Sequence, residues 1–288
     1  MQSSVYFASA RARSPNENKL NRIQSLFEAA DLDGVIRKGD LTALKVHFGE
    51  VGNDSYINPV LIKPIANKVK ALGARPSLVI FASRHKSASN MRTLTIHPIG
   101  NFARAEMGGK DRTLVPAAPH EMTMALKELV KRAGGLKYQV SLEATHHGPY
   151  LQTPTFYIEI GSDEEAWREP EPASVIAETI FSVLTSEIPQ HEIALGVGGG
   201  HYVPRITDVA RQKKISFGHM LPSYAFEEGL WHDMLENMLR ATPGATMVYF
   251  HRKAIKTPVL REMEAWFRER GIQPVSSKDL EDMAPNAH

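Results

Sequence analysis

The chain has 288 residues, 42% of them hydrophobic, and a formal net charge of +2 with its histidines neutral. That length can bury a substantial core, and so small a basic excess excludes a dedicated nucleic-acid coat, so any RNA contact must come from local clusters of charge. The absence of cysteine excludes disulfides, thiolate metal sites, iron–sulfur clusters and a cysteine nucleophile. No basic segment leads into an apolar run at the N-terminus, and no stretch of about 18 apolar residues occurs, so a cytoplasmic protein without a membrane partner is expected.

In chain order, the first β-rich run is 3–8. Ser14-Pro15-Asn16-Glu17 then supplies a hydroxyl cap, a proline at the first helical position and a capping-box glutamate, ahead of Leu20, Ile23, Leu26 and Phe27 at helical spacing. A strand is predicted at 41–48 and a helix at 59–72 that Pro64 kinks or starts. The strand predicted at 77–82 carries Leu78-Val79-Ile80-Phe81, a run suited to burial on both faces. Met122, Leu126, Leu129 and Ala133 line a helix over 121–133 that stops at Gly134-Gly135. Strands at 137–144 and 154–160 follow, then the surface loop 168–172 opening a helix at 173–186, and a strand at 192–197. Trp231, Leu235 and Met238 predict a helix at 227–240, a strand is read at 245–250, and Leu260, Met263 and Phe267 place the last helix at 258–270. These apolar stripes read as core. The alternation predicts a three-layer α/β fold, with a mainly parallel, mixed sheet and helices on both faces.

On this map His47, His85, His146, His147, His201 and His251 lie at or just past the C-terminal ends of predicted strands. That rim is where the loops of an open parallel sheet converge on ligands. A single histidine there is ordinarily a hydrogen-bonded loop residue, which is the expectation for His47 and His251. Two contexts go further. In Glu143-Ala144-Thr145-His146-His147-Gly148-Pro149, titratable residues end a strand; adjacent histidines can serve one pocket only if the loop is irregular, one binding or activating while the other orients it. In Gly196-Val197-Gly198-Gly199-Gly200-His201-Tyr202, the glycines let backbone N–H groups approach an oxyanion. That loop has neither the ending of a P-loop nor dinucleotide-binding spacing, and neither His120-Glu121 nor His191-Glu192 begins a His-Glu-x-x-His motif. Arg84, Lys86, Arg92, Arg104, Lys110 and Arg112 cluster after strand 77–82, where they suit phosphate contacts or a solvated face.

The runs Phe81-Ala82-Ser83-Arg84-His85, Gly100-Asn101, Gly108-Gly109-Lys110-Asp111, Ala144-Thr145-His146-His147-Gly148-Pro149, Phe156-Tyr157-Ile158-Glu159-Ile160-Gly161-Ser162, Gly198-Gly199-Gly200-His201-Tyr202 and Phe217-Gly218-His219-Met220-Leu221-Pro222 occur in one order over residues 79–226. Together they resemble the archaeal and plant D-aminoacyl-tRNA deacylases. The resemblance implies a zinc-dependent hydrolase that cleaves the ester joining a D-amino acid to the 3′ end of tRNA, with an α/β fold similar to nucleoside phosphorylases and peptidyl-tRNA hydrolases. Its partner would be that tRNA and not DNA. The sequence leaves the oligomeric state open, with a monomer favoured.

The site implied comprises His146, His147, Thr145, Glu143, Gly199 and Gly200 in catalysis. Arg84, Lys110, Asn101, Tyr202 and His219 would contact substrate, and His85, His97, His147, His201 and Glu159 would surround a zinc ion. Either that ion activates a water, or His146 or His147 acts directly as the base with the 198–200 glycines as oxyanion donors. One domain is expected over 1–288, with an N-terminal sheet half at 1–78, a catalytic part at 79–250 and a helix and tail at 251–288. Residues 22–78 resemble instead the opening of an uncharacterised family often joined to ferredoxin-like iron–sulfur modules, which need cysteines this chain lacks. A small-molecule hydrolase or phosphorylase, or a zinc peptidase, is the competing reading.

Overall fold

The computed structural model describes residues 19–38, 65, 68–69, 71–73, 77–87, 91–226 and 231–283. The strands expected at 3–8 and 41–48, the cap at 14–17, most of the 59–72 helix and His47 lie outside these residues. Backbone contacts divide the chain into two compact units, 1–81 and 82–288. In the first, α1 (Lys19–Ala29) and α2 (Leu32–Val35) accompany a small core of Phe27 and Val69, with Ile36, Ile65 and Leu72 packed against it.

The second unit is built on two four-stranded sheets. β1 (Val79–Lys86), which the unit boundary crosses, β2 (Thr93–Pro98), β5 (Gln139–Leu142) and β6 (Thr155–Ser162) form the first, in the order β1-β6-β2-β5. β7 (Glu192–Val197), β8 (Ile215–Leu221), β9 (Ala245–Phe250) and β10 (Gln273–Val275) form the second, in the order β10-β9-β7-β8. A short hairpin, β3 (Gly100–Asn101) with β4 (Thr113–Leu114), stands apart. β2 pairs parallel with β5 and antiparallel with β6, while β7 pairs parallel with β8 and β9, and β9 with β10. The segment after β5 joins the sheets: Ala144 N–H donates to the His201 carbonyl at 2.8 Å and Thr145 N–H to the Met220 carbonyl at 2.9 Å.

Both faces of the second sheet are covered. Successive side chains of a strand point to opposite faces. On β7, Leu195 and Val197 enter the core formed with α7 (Trp231–Ala241) and α8 (Thr257–Glu269), beside Met238, Val248, Phe250 and Phe267. Gly196, on the other face, meets α6 (Pro204–Gln212): a Cβ there would stand 2.7 Å from Ile206 Cδ1 and 2.9 Å from Met220 Cγ, so the bare glycine backbone leaves room for those side chains to pack. Helix α3 (Pro119–Arg132), followed in the chain by the short α4 (Glu164–Trp167), packs on β2, β8 and α5 (Pro170–Thr185) through buried Met122, Leu126 and Leu129. Each fully buried Leu or Phe of this kind contributes roughly 1.5–3 kcal/mol of transfer free energy.

The three-layer α/β expectation matches this architecture. β2, β8, β10 and α6 were not read from the sequence. β2 reads Thr93-Leu94-Thr95-Ile96-His97, polar at every second position, yet all its residues are buried, because its polar face lines an interior site rather than solvent.

Candidate active site

The alternation that hid β2 also aims it. Leu94 and Ile96 point into the core, while Thr93, Thr95 and His97 share the other face. Register places Thr95 beside Glu159 of β6 and Ser141 of β5, and His97 beside Tyr157. Glu143 continues β5, its N–H bonded to the Ile96 carbonyl at 2.9 Å, and β1 adds His85.

The loops supply the rest. His201 follows the glycines after β7, and His146 and His147 follow β5. The irregularity that lets adjacent histidines serve one pocket is a left-handed backbone at His147, φ 38°. Their rings sit 4.6 Å apart, and that of His146 lies 4.1 Å from His97 and 4.7 Å from His201.

Glu143 is the hub. Its Oε2 lies 3.1 Å from His201 Nε2 and 3.6 Å from His146 Nε2, and its Oε1 lies 3.7 Å from His85 Nδ1. Glu159 Oε2 stands 3.4 Å from His97 Nε2 and 3.8 Å from His85 Nδ1. Glu143 is wholly buried, and neither of its oxygens accepts a well-aligned hydrogen bond; His97 Nε2 is likewise without one.

Backbone carbonyls fix three tautomers. His97 Nδ1 meets the Pro98 carbonyl at 3.1 Å, His146 Nδ1 that of Ala144 at 2.8 Å, and His147 Nδ1 that of Gly148 at 2.7 Å. A carbonyl only accepts, so each Nδ1 carries the proton and each Nε2 keeps a lone pair when the ring is neutral. This is the orientation that second-sphere carbonyls give to metal-binding imidazoles.

Burial, reinforced by the neighbouring His97, holds His146 well below the ordinary histidine range and His147 down to about 4. Burial also opposes charge on His97, but Glu159 and Glu143 outweigh it and raise that ring's pKa. For Glu159 burial favours the neutral acid, and His97 overrides it, lowering the carboxyl.

The ligand atoms fall into overlapping groups lying within 4.8 Å of one another: His97, His146 and His147; His85, Glu143 and His201; and His97, Glu143 and Glu159. Burying two carboxylates costs several kcal/mol each unless opposite charge compensates them. Unsatisfied Glu143 oxygens beside several imidazole lone pairs therefore fit a cation, and nitrogen and oxygen donors with no thiolate suit zinc.

Other residues expected in the site are placed differently. Thr145 Oγ1 is 3.0 Å from both His219 Nδ1 and the Met220 N–H it accepts, and His219 Nε2 is 2.8 Å from the Val115 carbonyl, so His219, 0% exposed, is engaged at both nitrogens. Gly198 N–H donates to the Leu221 carbonyl and Gly199 N–H to Ser223 Oγ, which leaves Gly200 as the glycine with a free N–H among the described residues. Asn101 donates to the carbonyls of Gly108 and Lys110 and so organises the β3–β4 loop. Arg84 precedes His85 on β1 and turns to the other face, over the Trp167 ring at 4.6 Å. Lys110 lies over Tyr150 at 3.8 Å, and Arg92 is paired with Glu165 and Glu169. Tyr202 stays at the pocket, its hydroxyl 3.2 Å from His85 Nε2. His251 Nδ1 is buried without a partner beside Gly199, outside the ligand groups.

Sequence reasoning missed Tyr157, whose ring lies 5.2 Å from His97 and 4.9 Å from His147, although it stands inside a quoted motif. It also missed Tyr224, whose hydroxyl is shifted upward by burial and then by the charge of Glu143. No sequence signal marks Tyr224.

A three-layer α/β fold carrying buried carboxylates within a cluster of converging imidazoles defines an enzyme built for hydrolysis. The family model described as D-aminoacyl-tRNA deacylase matches residues 72–275. A D-aminoacyl-tRNA deacylase of Methanosarcina mazei is 34% identical over 268 residues, spanning 90% of this chain and 83% of that protein. One of Thermoplasma acidophilum is 31% identical over 252 residues, 84% and 94% of the two chains. A crystal structure described as a conserved protein of unknown function superposes with a TM-score of 0.70 at 28% identity, over 77% of this chain and 79% of that one. The chain belongs to the D-aminoacyl-tRNA deacylase family. With 90% of the chain aligned, the similarity reaches into residues 22–78 as well as the motif-bearing half.

Proposed function

We propose that this chain hydrolyses the ester of D-aminoacyl-tRNA, releasing free D-amino acid and tRNA, at the pocket centred on Glu143. The observation that carries this reading is a wholly buried carboxylate, free of hydrogen-bond donors, ringed by His85, His146 and His201. An aminoacyl ester is already activated, so its hydrolysis needs a positioned water, a base and donors for the tetrahedral oxyanion. His97, His146 and His147 would hold a zinc ion, with their lone pairs fixed by the carbonyls of Pro98, Ala144 and Gly148. When bound, zinc brings the pKa of a coordinated water towards about 7 and polarises the ester carbonyl.

The chain's own residues do the rest. Glu143 takes a proton from the attacking water as the new C–O bond forms, and returns it to the departing ribose oxygen as the ester C–O bond breaks. His85 and His201 hold Glu143 between them, and Tyr202 holds His85. Gly200 N–H is the donor left for the oxyanion, while Thr145 and His219 position the segment that carries His146. The test is turnover of matched D- and L-aminoacyl-tRNAs at increasing salt. The D-ester is hydrolysed, the L-ester is not, and KM rises steeply with ionic strength because phosphate contacts release counterions. Equal turnover of both esters, or none of either, refutes the reading.

A further inference from the structure

Core packing does not account for Tyr157. Its neighbours on β6, Phe156 and Ile158, point with Leu94 and Ile96 to the apolar side of the sheet, whereas Tyr157 shares the other face with Glu159 and is buried there. Register sets it directly opposite His97 of β2. The two rings lie 5.2 Å apart, with their planes 20° from parallel. The same tyrosine meets the His147 ring at 4.9 Å and 78°. Its hydroxyl reaches the Gly148 carbonyl at 3.5 Å, the carbonyl that His147 Nδ1 meets at 2.7 Å.

A carbonyl at Nδ1 settles which nitrogen of an imidazole carries the proton, but it leaves the turn of the ring loosely held, because rotation about the Cβ–Cγ bond of histidine has broad minima. The lone pair on Nε2 lies in the ring plane, so it points wherever that plane is turned. A flat wall removes this freedom. The planes of His97 and His147 stand at 90° with centroids 5.0 Å apart, and Tyr157 lies nearly parallel to the first and nearly perpendicular to the second. One rigid ring therefore makes a stacked contact with one imidazole and an edge-to-face contact with the other, both favourable arrangements. The hold matters most at His147, whose left-handed backbone, φ 38°, persists only where the surroundings impose it.

We infer that Tyr157 is a positioning residue for the metal site: its ring orients the imidazoles of His97 and His147 together and thereby sets how tightly they hold zinc. The inference rests on the reading of those two rings as zinc ligands. The aromatic wall carries the effect rather than the hydroxyl, since 3.5 Å is the outer edge of a hydrogen bond and the Gly148 carbonyl already serves His147. Groups that orient a metal ligand without touching the metal change affinity roughly 10–100-fold when they are replaced.

Three variants of the full chain test this. Tyr157→Phe keeps the wall, while Tyr157→Leu and Tyr157→Met fill much of its space without a flat ring. Zinc affinity is measured by competition with a chromophoric chelator, and the visible absorption of bound cobalt(II) reports the arrangement of the ligands. Tyr157→Leu and Tyr157→Met bind zinc roughly 10–100-fold more weakly and alter the cobalt spectrum, whereas Tyr157→Phe stays within about threefold of the wild type and keeps its spectrum. Wild-type affinity and spectrum in the leucine and methionine variants overturn the inference, even where their melting temperatures fall. A second readout needs no metal. In the stripped protein, the Nδ1 protons of His97 and His147, followed by nitrogen–proton magnetic resonance, exchange with solvent about tenfold faster in Tyr157→Leu than in the wild type or Tyr157→Phe, the scale of a lost ring–ring contact. A wild-type chain that binds neither zinc nor cobalt refutes the metal reading instead. Unchanged exchange in Tyr157→Leu overturns the hold of Tyr157 on the rings.

Discussion

His201 sets its Nε2 3.1 Å from Oε2 of Glu143, close enough to compensate the carboxylate but too poorly aligned to satisfy it by a hydrogen bond. That imidazole is about one-third exposed, whereas Glu143 is wholly buried, so His201 connects the carboxylate with the open side of the pocket. Replacing it with asparagine keeps a polar side chain but removes the titratable ring. We expect kcat to fall roughly 10²-fold, because Glu143, the proton-transfer group, loses a ring that holds it, with KM little changed. Steady-state kinetics decide; an unaltered kcat would show that His201 has no part in the reaction.

The three rings anchored through Nδ1 should dominate metal retention. His147→Ala and His97→Ala are expected to lower zinc content measured by elemental analysis to well below that of the wild type, and to lower deacylation in parallel. Removal of zinc by a chelator should abolish turnover, with recovery on adding it back. Full activity in a verified metal-free sample would exclude zinc from the reaction.

His219 supplies a pH signature of stability. Val115 offers only a carbonyl acceptor and Thr145 completes the other nitrogen, so the folded protein holds the ring neutral; burial lowers its pKa from 6.5 to about 4. Above pH 6.5 this stabilisation is fully present. As the pH falls from 6.5 towards 4 the unfolded chain takes up a proton that the folded chain refuses, and roughly 3 kcal/mol of stability is lost. Urea midpoints across that range should show the loss in the wild type and a shallower one in His219→Gln, which does not titrate. Parallel slopes in the two proteins would contradict a neutral buried ring.

Gly161 gives a packing test next to the site. A Cβ there would stand 2.2 Å from Thr93 Oγ1 and 3.2 Å from His85 Cδ2. Gly161→Ala should therefore cost about 1–3 kcal/mol, the usual penalty of overpacking, and reduce activity through His85. Because Thr93 Oγ1 has no hydrogen-bond partner, Thr93→Ala in the same chain should recover most of the loss, whereas Thr93→Ser should not. Thermal unfolding of the wild type, the three single variants and the two double variants measures the coupling, and simple additivity of Gly161→Ala with Thr93→Ala would place the strain elsewhere.

The parts of the fold that were legible were those whose pattern reports on their own burial. The apolar stripe of Met122, Leu126 and Leu129 marks α3, and the Leu78-Val79-Ile80-Phe81 run marks β1, because both face apolar core. β2 was not legible, since Thr93, Thr95 and His97 look solvent-facing in sequence and are buried only because Glu159 and Glu143 meet them across the sheet. The histidine contexts pointed to the right loops, but a motif does not tell a ring that faces the pocket from one that ties strands together. His146 and His219 stand in equally distinctive runs, and the contacts of His219 with Thr145 and with the carbonyl of Val115, 104 residues away, separate their roles. The oxyanion donors were blurred in the same way, because the Ser223 hydroxyl that occupies Gly199 N–H comes from beyond β8.

The central claim is that Glu143 performs the proton transfers of ester hydrolysis. Glu143→Gln preserves size and shape and removes the base, so single-turnover hydrolysis of a D-aminoacyl-tRNA, with zinc content measured on the same samples, tests it most directly. The variant should lose at least about 10²-fold in rate while keeping the zinc that His97, His146 and His147 would hold. Wild-type rates in Glu143→Gln would contradict the account.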